Sequence, residues 1–212
     1  MKYDFGSRIG KIGLLALAGA VASVASSCQT NLAGNSEAPV YLVWQCIAPP
    51  DYVVNAFEVG AVYLSDVIIE SKEKCVGSES ECPGPDKYGD VLLEQLRIKY
   101  RRTDGGTDVP GDTVFNISGK VPANGDLHVA HWLVLLTEDQ KLTPPISDLN
   151  TYGVELATGL THIQLDAELY LHGRTIAGDD LVARATVPIR VCSSVFDTHC
   201  LAEERTEGTC QN

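Results

Sequence analysis

A long run of alternating residues near the C-terminus constrains the fold of this chain more than any other feature. Apolar and polar side chains alternate from 161 to 191, apart from the turn residues GRTIAGDD at 173–180. Because successive side chains of a strand point to opposite faces, this period of two predicts two half-buried antiparallel strands. The segment 161–191 is therefore predicted to be a long hairpin. Pro188 is expected to lie on an edge, or with its missing N–H facing outward, since proline cannot donate to a strand ladder.

Five weaker aliphatic runs complete the predicted set of strands. They are 39–47, 57–70, 91–102, 113–121 and 127–136. No segment has a sustained helical period, although TEDQKL at 137–142 is compatible with one helical turn. About seven strands separated by Gly, Pro and Asp clusters predict an all-β fold, specifically an immunoglobulin-like antiparallel two-sheet sandwich with disulfides.

The N-terminus has the pattern of a secretory signal peptide. Lys2, Arg8 and Lys11 precede an uncharged stretch from Ile12 to Val24 that is rich in Leu, Ala and Gly. This stretch is shorter than the roughly 18 apolar residues that a membrane-spanning helix needs. A transmembrane anchor is therefore the weaker interpretation, and residues 1–27 are predicted to be a leader.

The end of the leader allows two kinds of processing. An ordinary signal peptidase could cut after Ala22 or near Ala25, which would leave Cys28 as a thiol of a secreted protein. Alternatively, the segment VASSC at 24–28 resembles the bacterial lipobox, with Ala25 where Leu is usual. That resemblance implies lipidation of Cys28 and a membrane anchor. With Gln29 next to the cysteine, it also implies the outer membrane of a Gram-negative envelope.

The number of cysteines favours lipidation. The chain has seven of them: Cys28, Cys46, Cys75, Cys82, Cys192, Cys200 and Cys210. An odd number leaves an unpaired thiol in an oxidising compartment, whereas lipidation of Cys28 leaves six candidates for three disulfides.

The pairing of these six is only partly predictable. Cys75 and Cys82 flank a short acidic loop and are expected to pair, in preference to binding zinc. If the first and last strands are parallel neighbours, Cys46 would pair with Cys192, and Cys200 with Cys210. A metal site in the tail with His199 matches no familiar zinc spacing.

Four regions follow from these assignments. They are the leader at 1–27, the lipidated cysteine with a flexible tether at 28–38, the β-sandwich at 39–192 and a cysteine-containing tail at 193–212.

The charge of the chain limits its partners. Removing the leader, with Lys2, Arg8, Lys11 and Asp4, leaves 13 cationic and 27 anionic side chains and a net charge of −14. Such a surface repels phosphate backbones and anionic headgroups. Nucleic-acid binding is therefore not expected, and membrane contact is expected through the lipid alone.

No residue pattern predicts a catalytic site or a cofactor. Asp104, Asp108 and Asp112 lie in a glycine-rich loop that could hold calcium, but a solvated hairpin loop is favoured because the EF-hand pattern is absent. His128 and His131 would lie on opposite faces of a strand, so they are poor joint metal ligands. Motifs for zinc proteases, serine hydrolases and phosphate loops are absent from the sequence.

The final hairpin and the cysteine-rich tail resemble exported immunoglobulin-like lipoproteins of unknown function in Gram-negative bacteria. This resemblance implies an envelope-anchored, non-catalytic domain with a binding or assembly role. Two alternatives stay open: a carbohydrate- or calcium-dependent ligand-binding module that uses the exposed loops, and a hydrolase with an unrecognised site.

Overall fold

A computed structural model of the chain describes residues 33–34, 38–74, 89–193 and 209–210. These residues contain eleven strands, Ala33–Gly34 (β1), Val40–Ala48 (β2), Tyr52–Asn55 (β3), Val62–Tyr63 (β4), Asp66–Glu73 (β5), Val91–Arg102 (β6), Thr113–Val121 (β7), Asp126–Ala130 (β8), Val134–Leu136 (β9), His162–Thr175 (β10) and Asp180–Cys192 (β11). Two short helices, Glu138–Lys141 (α1) and Ile146–Tyr152 (α2), lie between β9 and β10. The predicted all-β class is confirmed.

The strands form three sheets. The largest has the order β1-β11-β10-β6-β7, and β3 adds to it as a parallel neighbour of β11. A second sheet has the order β2-β5-β8, and β4 pairs with β9 in a third. In the largest sheet, β10 and β11 pair antiparallel from His162 and Cys192 to Arg174 and Asp180, which confirms the predicted hairpin.

One hydrophobic core takes side chains from the two larger sheets. Every second residue of β10 is buried in it, and these residues are Ile163, Leu165, Ala167, Leu169 and Leu171. Trp44 of β2 and Ile69 of β5 belong to the same cluster. The residues between the buried ones on β10 therefore form the outer face of the largest sheet.

The strand count differs from the predicted seven. The predicted strand 57–70 is two strands, β4 and β5, and the predicted strand 127–136 is divided into β8 and β9. The second break lies at His131, whose φ of 51° is in the left-handed region and cannot continue a strand. Strands β1 and β3 were not predicted, because runs of two and four residues are too short to show a period.

The predicted helical turn at 137–142 is confirmed as α1. Thr137 forms a capping box with Gln140, in which each side chain bonds the other residue's backbone N–H. Helix α2 was missed because its seven residues begin after Pro145, which gives no side-chain cap. Gly153 ends α2 in the left-handed conformation.

The first and last predicted strands are not parallel neighbours, which was the condition for pairing Cys46 with Cys192. The parallel neighbour of β11 is β3, whereas β2 pairs with β5 in the other sheet. On the side of β11 that faces away from β10, β1 pairs with Leu181–Val182 and β3 pairs with Ile189–Cys192. Between these two ranges, no described strand pairs with that side of β11. Pro188 lies in that stretch, as predicted for a residue without an N–H.

Two further findings concern the ends of the domain. Within the predicted tether, Ala33 and Gly34 pair with Val182 and Leu181, so the chain is already attached to the largest sheet there. Among the described residues, no helix has both the length and the apolar character needed to cross a bilayer.

Candidate functional site

The outer face of the largest sheet collects cationic side chains in a chain whose net charge is −12. Strand β10 lies between β6 and β11, so that Tyr170 has Arg97 on one side and Arg184 on the other. The cations that these three strands carry on the outer face are Arg97, Lys99, Arg101, Arg174, Arg184 and Arg190. This face is therefore the candidate binding surface of the described part of the chain.

Several of these cations are held by carboxylates. Arg101 bonds Asp166 at 2.7 Å, and Arg97 bonds Asp112 at 2.9 Å. Arg101 and the Arg97–Asp112 pair are well exposed, so each ion pair contributes little to stability, at most about 1 kcal/mol. Their role is to fix the directions of the side chains on the face.

Tyr170 is the centre of a different cluster, which we call the Tyr170 cluster (Lys99, Glu168, Tyr170 and Arg184). The Lys99 Nζ lies 5.6 Å from the centroid of the Tyr170 ring, and the Arg184 Cζ lies 5.2 Å from it. Both distances are those of cation–π contacts. The Tyr170 hydroxyl donates a hydrogen bond of 2.8 Å to Glu168 Oε2. That bond, with some burial, raises the pKa of Tyr170, so its hydroxyl stays protonated at neutral pH.

A polar depression adjoins this cluster where β6 has a bulge. Glu94 has no Cα partner, because the pairing of β6 with β7 shifts between Leu93 and Gln95 and its pairing with β10 shifts at His172. The depression has a volume of about 430 Å³. Its lining consists of Glu94, Gln95, Asn116, His172, Gly173, Asp180 and Leu181. A bulge of this kind redirects side chains on one face of a sheet.

The chemistry of the depression is that of hydrogen bonding. Gln95 and Asn116 supply amide donors and acceptors, and Glu94 and Asp180 supply carboxylate acceptors. Arg174 connects the two carboxylates, since its Nε lies 2.9 Å from Asp180 Oδ1 and 3.9 Å from Glu94 Oε1. Among the described residues, the lining includes no Ser, Thr, Cys or Lys side chain.

No pattern in the sequence predicts a site on this face. One signal was available: the buried residues Leu93 and Leu96 are three positions apart, which breaks the period of two and indicates a bulge. The residues next to Tyr170 could not be predicted, because they depend on the order and register of three strands.

The cysteines pair differently from the prediction. A disulfide joins Cys46 to Cys210, with an S–S distance of 2.08 Å, so the predicted pairs Cys46–Cys192 and Cys200–Cys210 are wrong. The physical reason is that Cys46 belongs to β2, which lies in the other sheet from β11. Cys192 is also disulfide-bonded. The predicted Cys75–Cys82 pair and the lipidated Cys28 lie outside the described residues.

Asp66 holds the tail next to this disulfide. The backbone N–H of Cys210 donates a hydrogen bond of 2.8 Å to Asp66 Oδ2, and His128 Nε2 contacts the other oxygen. Burial alone would raise the pKa of Asp66, but these hydrogen bonds and the imidazole bring it below its usual value. His128 is therefore committed to Asp66, whereas His131 lies beyond the end of β8.

The loop considered for calcium contains ion pairs to arginine. The Arg102 guanidinium bonds both oxygens of Asp104, at 2.7 and 2.9 Å, and Asp112 bonds Arg97. The carboxylate of Asp108 accepts from the neighbouring Thr107 hydroxyl at 3.4 Å. No group of three or more His, Cys, Asp or Glu side chains in the described part of the chain could hold a metal ion. The three carboxylates thus do not converge on a common position.

Glu155 completes a buried network with Arg102 and Asp104. Its Oε2 lies 3.7 Å from Arg102 Nη2 and accepts from the backbone and hydroxyl of Thr158. The side chains of Arg102, Asp104 and Glu155 are 2%, 5% and 1% exposed. Burial would raise the pKa of Asp104, but Arg102 and two backbone N–H groups lower it to about 2. This network joins the loop after β6 to the segment before β10.

Comparison with known proteins gives no match: no family model fits the chain, and neither a curated protein nor a solved structure is significantly similar to it.

Proposed function

We propose that this protein is an envelope lipoprotein whose β-domain is a non-catalytic carbohydrate-binding module. In this proposal, Cys28 carries the lipid, the leader 1–27 is removed and the anchor lies in the outer membrane. The domain itself is an immunoglobulin-like sandwich, and nucleic acid is not a partner. The observation that carries the binding function is the polar depression at the β6 bulge.

The lining of the depression supports a sugar as ligand. Pockets for drug-sized ligands have volumes of about 300–1,000 Å³ and are mostly apolar. The depression has a volume within that range, about 430 Å³, but is lined mainly by carboxylate, amide and imidazole groups. Sugar hydroxyls both donate and accept hydrogen bonds, so they suit a surface where Glu94 and Asp180 accept while Gln95 and Asn116 do both.

The same lining supports binding without catalysis. Glycoside hydrolysis requires two carboxyl groups, one of which holds a proton that it donates to the leaving group. An apolar pocket is the usual means of keeping that proton. The side chains of Glu94 and Asp180 are 50% and 73% exposed, and both lie near the Arg174 guanidinium. Neither has the environment of a general acid.

The lipid anchor has independent support from the cysteines. Cys46, Cys192 and Cys210 all take part in disulfides, as expected for an oxidising compartment. With seven cysteines in the chain, at least one must remain outside intramolecular pairs, and Cys28 is the one in a lipobox-like segment.

Binding can be tested with the soluble domain that lacks residues 1–28. We expect it to bind at least one member of a panel of immobilised oligosaccharides. Asn116→Ala should weaken that binding about tenfold, because the hydrogen bonds of one amide that becomes buried in the complex contribute about 1.4 kcal/mol. Ser118→Ala, two residues along the same exposed face of β7, is the matched control. Release of shorter sugars from the bound oligosaccharide would contradict the non-catalytic assignment. Binding unaffected by Asn116→Ala would contradict the site.

A further inference from the structure

The structure assigns an anion subsite to the Tyr170 cluster, and we propose that the glycan bound by this domain is acidic, carrying carboxylate, sulfate or phosphate groups. The inference rests on the proposed carbohydrate-binding function and adds the chemical class of the ligand. In this assignment the Arg184 guanidinium and the Lys99 ammonium bind the anionic substituent, while the depression binds neighbouring hydroxyl groups.

The charge partners of Lys99 and Arg184 carry this proposal. Most other cations among the described residues bond carboxylates, namely Lys72, Arg97, Arg101, Arg102, Lys120 and Arg174. Lys74, Lys141 and Arg190 also have interactions with other groups. In the described part of the chain, Lys99 and Arg184 contact the Tyr170 ring and have no carboxylate within ion-pair distance.

A cation over an aromatic ring keeps its N–H donors available. The ring attracts the charge but accepts no conventional hydrogen bond, so the contact orients the cation without consuming its donors. Glu168, the nearest carboxylate on β10, accepts from the Tyr170 hydroxyl. Arg184 can therefore bind a carboxylate or sulfate with two parallel N–H donors, which is a stronger interaction than its contact with the ring.

The spacing on β10 joins this subsite to the depression. Tyr170 and His172 are two residues apart on the same face of one strand, which corresponds to roughly 6.6 Å. A glycan chain lying along β10 would thus contact the two cations with one sugar unit and the polar depression with a neighbouring unit. Arg97 lies beside Tyr170 on β6 but is bonded to Asp112, which offsets its charge, so it is not required as a ligand.

The overall charge limits which anions can bind. A chain with a net charge of −12 repels a polyanion at long range, although salt screens this repulsion beyond about 8 Å at physiological ionic strength. Two adjacent cations can hold isolated anionic groups, but they cannot neutralise a continuous phosphate backbone. A polysaccharide with widely spaced charges fits this arrangement better than nucleic acid.

Pairs of polysaccharides that differ mainly in charge can distinguish recognition of the anionic group from recognition of the sugar. The probes are oligogalacturonate with its methyl ester, and dextran sulfate with dextran, titrated into the soluble domain. At least one acidic member is expected to bind about tenfold more tightly than its neutral counterpart, with the difference shrinking as NaCl is raised. In NMR spectra of the domain, the Arg184 Nε–H resonance should shift when the acidic member binds.

Two variants remove one positive charge each. Arg184→Gln is expected to abolish the preference for the acidic member, whereas Lys72→Gln, on the other sheet, should leave it unchanged. Equal losses in both variants would mean non-specific charge attraction and would overturn the subsite. Equal binding of acidic and neutral members, with Asn116→Ala still weakening both, would overturn the subsite but leave the proposed function intact. Absence of binding to every probe would contradict both.

Discussion

Asp104 is the residue at which the sequence and the structure lead to different chemistry. The spacing of the three aspartates in its loop suggested oxygen ligands for calcium, but two of the three bond arginines. Asp104 is almost fully buried and accepts from Arg102 and from the backbone N–H groups of Gly106 and Gln164. Its ionisation is therefore coupled to folding.

Replacement of Asp104 by Asn should destabilise the domain strongly. Removing one partner of a buried ion pair typically costs about 3–5 kcal/mol, and we expect a value near the lower end because Glu155 stays close to Arg102. Equilibrium unfolding in urea would measure the change. Asp108→Asn is the matched control in the same loop, and its free energy of unfolding should stay within about 0.5 kcal/mol of the wild type. Similar losses in both variants would contradict the special role of Asp104.

The same network predicts that the free energy of unfolding of the domain depends on pH. The pKa of Asp104 is about 2 in the folded domain, below the 3.8 of an unperturbed aspartate. A lowered pKa stabilises the folded state above the unfolded value, so this contribution is present above about pH 4 and is lost as the pH falls toward 2. The loss should amount to about 2 kcal/mol. Unfolding at several pH values should show a shallower acid dependence for Asp104→Asn than for the wild type, and parallel curves would contradict the assignment.

At the scale of elements, prediction succeeded where a pattern is long and local. The β10–β11 hairpin was predicted almost residue by residue because alternation continues over twelve or more positions in each strand, and β6 was predicted from its aliphatic run although a bulge interrupts the alternation there. Helix α2 and strand β3 were missed because four to seven residues contain too few periods. The order of the strands depends on contacts between distant segments, which explains why the neighbours of Tyr170 and the partner of Cys46 were not predictable.

The bulge beside the depression depends on Gly173. A Cβ atom there would lie 2.8 Å from Val91 Cγ1 and 3.0 Å from the Leu92 carbonyl oxygen, so the backbone of β6 would have to move. Gly173→Ala is expected to lower the free energy of unfolding by about 1–3 kcal/mol and to weaken sugar binding. Gly111→Ala is the matched control, since nothing lies within 4 Å of its Cβ position. Urea unfolding and oligosaccharide titration would measure both effects, and a stable, fully binding Gly173→Ala would contradict the role of the bulge.

At the scale of the whole molecule, the two ends of the chain meet the domain in different ways. The C-terminal tail is attached by the Cys46–Cys210 disulfide and by the hydrogen bond from Cys210 to Asp66. Near the other end, β1 pairs with β11 beside the turn that leads to Asp180, a residue of the depression. If Cys28 carries a lipid, the distance from the anchor to this sheet is set by the few residues between Cys28 and Ala33. The proposed binding face would then work close to the membrane surface.

Replacement of Cys28 by Ser tests the anchor without touching the domain. One acyl chain binds a membrane only marginally, at about 0.8 kcal/mol per buried methylene, whereas two or three chains on one cysteine hold a protein durably. The wild type should therefore sediment with membranes and partition into detergent, and Cys28→Ser should lose both properties. Cys75→Ser is the matched control and should stay with the membrane. Sugar binding by Cys28→Ser should equal that of the detergent-extracted wild type, because every residue of the depression lies between 94 and 181. Mass spectrometry of the wild-type N-terminus gives the direct measurement: an unmodified terminus, or Cys28 in a disulfide, would refute the anchor and leave the odd number of cysteines without an explanation.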